Sequence, residues 1–232
     1  MKNKKIKDRR PKALKDHHMP KNFDISLKAY GGGGTAKSLN PIPKKLKSQP
    51  MKGFEVQYKN IIDYIVRITY RIWEEKNIGY IYDTYSNDCR VWDEFGLQSG
   101  SEKIVADTVH TNNAFPDIRL FADEVIWAGD DNASFHTSHR TIITGTNTGF
   151  SKFSEPTGKS VRLFCIANCV AKNNEIYYEN VVYDTAALIK QLGLNLNQVA
   201  KEIADKGNIG PFAPDFKNSK PKRITSNSKP IS

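Results

Sequence analysis

The stretch FPDIRLFADEVIWAGD at 115–130, followed by SFHTSHRTIITGTNTGF at 134–150, decides the fold. Pro116 keeps the preceding backbone out of helix. Beyond Asp117 apolar and polar residues alternate, the period of a strand with one buried face. Strands are expected at 119–128, 132–145, 158–171 and 175–183. The links at 129–132, 145–158 and 172–174 hold Gly, Asp and Asn, so consecutive strands pair as antiparallel hairpins.

Upstream the period changes. Ile61, Ile65, Ile68 and Ile72 recur at helical spacing, and Tyr58, Ile62 and Tyr64 widen the stripe, which predicts a helix ending near Glu75. A short helix at 78–85 and a strand at 89–95 follow. Ser99 with Glu102 three residues on has the spacing of a capping box for a helix at 101–112. Downstream of the strands, a helix from Asp184 to Leu192 stops at Gly193, the residue type that ends helices, and a peripheral helix spans 195–205. Helices first and a meander of strands afterwards predict an α+β fold.

The net charge of +10 is unevenly spread. Residues 1–50 hold 14 Lys and Arg against three Asp, and 211–232 hold five against one Asp, so the body between them is acidic on balance. That makes the body a poor generic binder of phosphate backbones, which needs clustered cations, and no specific nucleic-acid partner is expected. The expected division is a basic flexible tail at 1–52, a folded domain at 53–207 and a second basic tail at 208–232. The tails suit contact with an acidic partner. The glycine run at 31–34 lacks the Gly-Lys-Ser/Thr ending of a phosphate loop and reads as a spacer.

Cys165 and Cys169 share a strand face but lie roughly 13 Å apart at about 3.3 Å per residue, beyond disulfide reach. With Cys89 they read as reduced thiols, in a cytoplasmic compartment. No apolar run is long enough for a membrane span, and the basic amino terminus lacks the apolar core of a secretion signal. No metal-binding spacing and no cofactor motif occurs, and His17 and His18 sit in the tail.

Together with SEPTGKSVRLFCI at 154–166 and ENVVYDTAALIKQLG at 179–193, the quoted segments resemble the SnoaL-like polyketide cyclases and the related predicted ester cyclases. Both belong to the nuclear transport factor 2-like superfamily. The resemblance covers 54–195 and implies a cone of curved sheet and helices around an apolar pocket, an α+β barrel that often pairs as a homodimer. It also implies a pocket Asp on the last strand and a pocket His on the strand before. Those positions hold Val181 and either Ala167 or Asn168, so the ring-closing aldol mechanism does not carry over with its residues. The ester-cyclase branch matches through Glu179, Asp184 and Gln191-Leu192-Gly193, and GTNTG at 145–149 matches a GTHTG-like hairpin with Asn147 in place of His.

Alternation puts Glu179 and Val181 on one face with Tyr177 and Tyr183. Glu179 is the candidate general base, provided burial lifts its pKa towards neutrality. Asp184 reads as a helix N-cap. His136 and His139 have odd spacing, so only one can face the interior, with Arg140 on the side of His136. Either histidine, or Tyr177, is the candidate proton donor. His110 and Phe115 are expected at the pocket entrance, with Asp93 as a second carboxylate at the opening. Trp92, Phe115, Trp127, Phe135 and Phe164 are expected to supply apolar lining. The expected function is cofactor-free cyclase or isomerase chemistry on a small apolar carbonyl compound. The alternative is a binding or interaction module that kept the fold and lost the acid/base pair.

Overall fold

The computed structural model describes residues 23–27 and 48–205. The first of these, strand β1 (Phe23–Leu27), falls within the stretch read as a tail and pairs antiparallel with β4 (Arg119–Asp130). The glycine run at 31–34, the His17-His18 pair and the carboxy-terminal tail lie outside the described residues.

Helix α1 (Ile61–Trp73) forms where the isoleucine stripe predicts it, stopping two residues earlier than expected. Its start is fixed by a reciprocal cap. The Asn60 side chain accepts from the Asp63 N–H at 2.8 Å. In return, Asp63 Oδ2 accepts from the Lys59 N–H at 3.0 Å, the reciprocal logic of a capping box. Arg67 Nε donates to the other oxygen of the buried Asp63 at 2.5 Å, which pairs the charge and offsets part of its desolvation cost. A 3₁₀ turn at Ile78–Tyr80 and helix α2 (Ile81–Thr84) lead into β2 (Tyr85–Asp93) and β3 (Gly96–Ser99). Tyr85, expected at the end of a helix, is instead the first residue of a strand.

Helix α3 (Ser101–Ala114) is present, but Ser99 does not cap it. That residue belongs to β3, and the turn into the helix is made by Gly100 at φ 87°, a conformation open to glycine. Strands β4, β5 (Ser134–Thr146), β6 (Ser160–Lys172) and β7 (Glu175–Tyr183) then form the antiparallel meander. Helix α4 (Thr185–Gln191) is capped by Asp184, whose carboxylate accepts from the Ala187 N–H at 3.1 Å, as its residue type favours. Helix α5 (Leu196–Asp205) follows. Among the described residues the sheet order is β1-β4-β5-β6-β7-β2-β3. The β2–β7 pair is parallel, so the sheet is mixed and the fold is α+β.

Three register shifts interrupt the sheet, one in the β2–β7 pair between Tyr85 and Arg90 and two that re-aim strands of the meander. One at Asp123 lets both Ala122 and Val125 face inward. The other lies where Val170 pairs with Tyr178 but Ala171 pairs with Ile176, leaving Tyr177 as the extra residue. Strict alternation fails there, and Tyr177 turns out to solvent.

The core is divided. One apolar cluster surrounds α1 and includes Tyr64, Ile68, Phe135 and Ile176. The second gathers Phe115, Ile118, Leu120, Leu163 and Leu192 at the other end of the sheet. Beside the second, the long link after β5 is organised by Asn147, which is wholly buried. Its amide donates to the carbonyls of Ala114 and Gly149, and its Oδ1 accepts from the Thr157 N–H at 2.9 Å and hydroxyl at 3.0 Å. Gly149 passes so close to Asn113 that an added Cβ would sit 2.1 Å from its carbonyl oxygen. Asn147→Ala strips these bonds from a buried hub, and the expected cost is about 2 kcal/mol in urea denaturation. An unchanged midpoint would mean that the link holds its shape without Asn147.

Candidate functional site

Between the two clusters the sheet and α1 leave a cavity of about 230 Å³, closed on its far side by α3 and the link after β5. The inner faces of the strands meet it in rows set by register. Thr137, Cys169 and Glu179 are successive partners across β5, β6 and β7; His139, Ala167 and Val181 form the next row; Thr141, Cys165 and Tyr183 the third. Partners in register share a face, so the position of Glu179 fixes the inward parity of its neighbours.

Glu179 is 8 % exposed and lines the cavity. The Tyr85 hydroxyl donates to its Oε2 at 2.9 Å. Burial raises the carboxyl above the usual carboxylate range, while the Tyr85 hydroxyl and the Cys169 thiol pull it part of the way back; desolvation and hydrogen bonding act here with opposite signs. His139 is 2 % exposed, and its Nε2 has no hydrogen-bond partner. Burial pushes it down to about 4, so the ring is neutral at pH 7. A second, small cavity of about 30 Å³ lies under α1 and touches Tyr85, His139 and Glu179 together. The wall therefore holds a carboxylate bonded by a phenol and, in the next row, a neutral imidazole whose Nε2 is buried without a hydrogen-bond partner.

Of the residues singled out from sequence, Glu179, His139, His110, Phe115 and Val181 line this cavity, as do Asp93 and Tyr183. Several others do not. His136 and Arg140 are on the opposite face of β5, as their parity requires once His139 points inward. His136 bonds Ser134 Oγ at 3.2 Å, and Arg140 pairs with Asp123 at 2.6 Å and Glu124 at 3.5 Å. Tyr177 is 40 % exposed because of the extra residue in β7. Trp92 lies on the face of β2 opposite Val91, away from the cavity. Phe164 is solvent-exposed, and Phe135 and Trp127 pack in the cluster around α1 instead of lining the cavity.

Sequence reasoning missed Tyr85, Cys169 and Thr141 as site residues. Tyr85 is half-buried 94 positions away from Glu179, and only the parallel pairing of β2 with β7 brings them together. For Thr141 a signal existed, since it is two residues from His139 and must share its face. At the mouth, the Asp93 carboxylate lies 3.9 Å from Lys152 Nζ, which also sits over the Phe95 ring at 4.6 Å, within range of the ring's attraction for a cation. Among the described residues no group of three or more His, Cys, Asp or Glu is arranged to hold a metal ion, and no helix is long and apolar enough to cross a membrane. Cys89, Cys165 and Cys169 are buried free thiols.

A curved mixed sheet and helices packed around such a hollow define the nuclear transport factor 2-like class. Within it, residues 64–192 match the SnoaL-like polyketide cyclase family, and the chain belongs to that family. A search of curated proteins found no match. Among solved structures, a SnoaL-like polyketide cyclase so described from Jannaschia sp. CCS1 is 15 % identical over 63 % of this chain and 99 % of its own, with a TM-score of 0.52. TsrD from Streptomyces laurentii is 14 % identical over 58 % of this chain and 96 % of its own, with a TM-score of 0.51. At such identities the likeness is one of fold.

Proposed function

We propose that the protein binds a small apolar carbonyl compound in the cavity and acts on it without a cofactor, as a cyclase or isomerase with Glu179 as general base. The observation that carries this is the buried carboxyl on the cavity wall, raised in pKa and held by Tyr85. The Glu179 carboxylate takes a proton from the carbon next to the carbonyl, becoming a carboxylic acid as the carbonyl becomes an enolate. Tyr85 keeps its hydrogen bond to Oε2 and so fixes the rotamer of the base. His139, in the tautomer that carries its proton on Nε2, donates to the enolate oxygen. Return of the proton from Glu179 to another carbon completes an isomerisation; its return to the alkoxide formed when the enolate attacks a second carbonyl completes a cyclisation.

Substitution supports this reading as well. Where the resemblance places a pocket Asp the chain has Val181, and Glu179 stands two residues away on the same face. It places a His at Ala167 or Asn168, and the first of these is the register partner of His139. An acid two residues along β7 and an imidazole across from β6 on β5 are thus available on the same wall. The same two replacements favour the second reading, a module that binds ligand without chemistry. Solvent-deuterium exchange at the α-carbon of 1-tetralone, followed by NMR, separates them. Exchange above the buffer rate supports the enzyme. Saturable binding with exchange at the buffer rate leaves the binding module.

The outer sheet face supports self-association. Phe164 is 52 % exposed and Val182 63 % exposed. Ile166 is the register partner of Val182, so the three form one apolar patch of the kind that marks contact surfaces. A homodimer through this patch is expected in sedimentation at micromolar concentration, with Val182→Lys monomeric. A monomeric wild-type protein would remove the dimer. The three buried thiols suit a reducing, cytoplasmic compartment, and the basic tails remain the candidate contact for an acidic partner.

A further inference from the structure

Two chain segments meet at the cavity mouth through side chains alone. One is the bend between β2 and β3, where the Phe95 N–H donates to Asp93 Oδ1 at 2.8 Å. This bend is tied from behind, since Thr185 Oγ1 on α4 donates to Glu94 at 3.2 Å. The other is the tip of the link after β5. Its residues 151–154 form a compact turn around Ser151, whose N–H donates to the Ser154 carbonyl at 2.9 Å. Ser151 Oγ accepts from the N–H groups of Phe153 at 3.2 Å and Ser154 at 2.9 Å. The turn holds Lys152 and Phe153 against the bend. Lys152 Nζ lies 3.9 Å from Asp93 Oδ2 and 4.6 Å from the centre of the Phe95 ring, and the Phe95 and Phe153 rings are 5.8 Å apart. Asp93, Phe95, Ser151, Lys152 and Phe153 all line the cavity. Among the described residues no backbone hydrogen bond joins the bend to the tip.

The link is anchored on both sides of that turn and free between. The Gly149 N–H donates to the Ala114 carbonyl at 3.2 Å, and Asn147 holds the Thr157 N–H at 2.9 Å. Phe150, Glu155 and Pro156 make no hydrogen bond to any described residue, and Phe150 is 66 % exposed. We infer that the turn at 151–154 is a gate, latched to the β2–β3 bend by Lys152 and Phe153, that swings as one unit about residues 150 and 155–156 to open the cavity. An ion pair near the surface is weak and screened by salt. Contacts of a cation or a second ring with one aromatic side chain are likewise modest at a solvent-facing rim. Such a latch holds the closed form while leaving the open one within thermal reach, the low-stability behaviour expected of a segment that must move. The gate concerns entry to the cavity and does not rest on the role of Glu179.

The native thiols report on it. Cys165 lines the cavity behind the gate, whereas Cys89 is buried away from it, so its labelling reads wider unfolding. Full-length protein is treated with methyl methanethiosulfonate, and each cysteine is followed by peptide mass spectrometry. Lys152→Ala and Phe153→Ala are each expected to label Cys165 about tenfold faster than wild type, because labelling follows the population of the open form. Cys89 should keep its wild-type rate in both. Raising sodium chloride from about 0.05 M to about 0.5 M should speed Cys165 in the wild-type protein and not in Lys152→Ala, which has no pair to screen. Cys165 rates unmoved by both substitutions and by salt would overturn the inference. So would an equal acceleration of Cys89, which would make the tip a support of the fold and not a gate.

Discussion

Glu179→Gln is expected to slow α-carbon exchange of a bound ketone by about 10²–10⁴-fold, the range for loss of a positioned general base. Ligand affinity should change little, because the amide has nearly the same shape and its oxygen can still accept from Tyr85. The same substitution is expected to stabilise the protein at neutral pH. The sign follows from the raised pKa of the buried carboxyl. A group raised on folding contributes its full stability below its unfolded pKa and loses it as pH rises through the folded value. Above that value the wild-type protein holds a desolvated charge that glutamine lacks. Thermal melts in acid and at pH 8 should therefore show the variant gaining on the wild type as pH rises. Exchange at the wild-type rate in Glu179→Gln would eliminate this carboxylate as the base.

The second large effect concerns His139, and its sign is opposite. Burial lowers this imidazole from about 6.5 to about 4, so its contribution is present above the unfolded pKa and lost as pH falls through the folded one. Between neutral pH and pH 4 the wild-type protein should lose on the order of 3 kcal/mol from this residue alone. His139→Leu has no proton to bind and should not share that loss. Urea denaturation at pH 7 and at pH 4.5 measures it as the difference between the two proteins, which cancels the carboxylates that titrate in both. Parallel losses would mean that the ring is solvated or paired. The same burial matters for chemistry, since a ring neutral at pH 7 offers a hydrogen bond at the enolate without adding a cation to the cavity.

The fold was legible because its signals are local. The isoleucine stripe of α1, the two-residue period of β4 to β7 and the Asp184 cap each depend on residues close in sequence, and each forms where expected. Glu179 was legible for the same reason, lying within one alternating strand beside a recognisable turn into helix. Inward parity on β5 was not, because period alone separates His139 from His136 without saying which is inside. Tyr177 was misplaced because an extra residue in a strand leaves no mark in the alternation pattern. Tyr85 was hidden by long separation, since nothing near it announces a parallel strand that carries Glu179, 94 positions away. Ser99 shows the converse error, a spacing that fits a cap in a residue whose backbone is already committed to a strand.

The phase slip at Tyr177 lets β7 serve two neighbourhoods from one strand. Ile176, before the slip, is packed beneath α1, whereas Glu179 and Val181, after it, belong to the chemical wall. Ile176 and Glu179 both keep inward aim although they are an odd number of positions apart, which an unbroken two-residue period would forbid. One short strand thereby anchors the core helix with its first half and furnishes the hollow with its second.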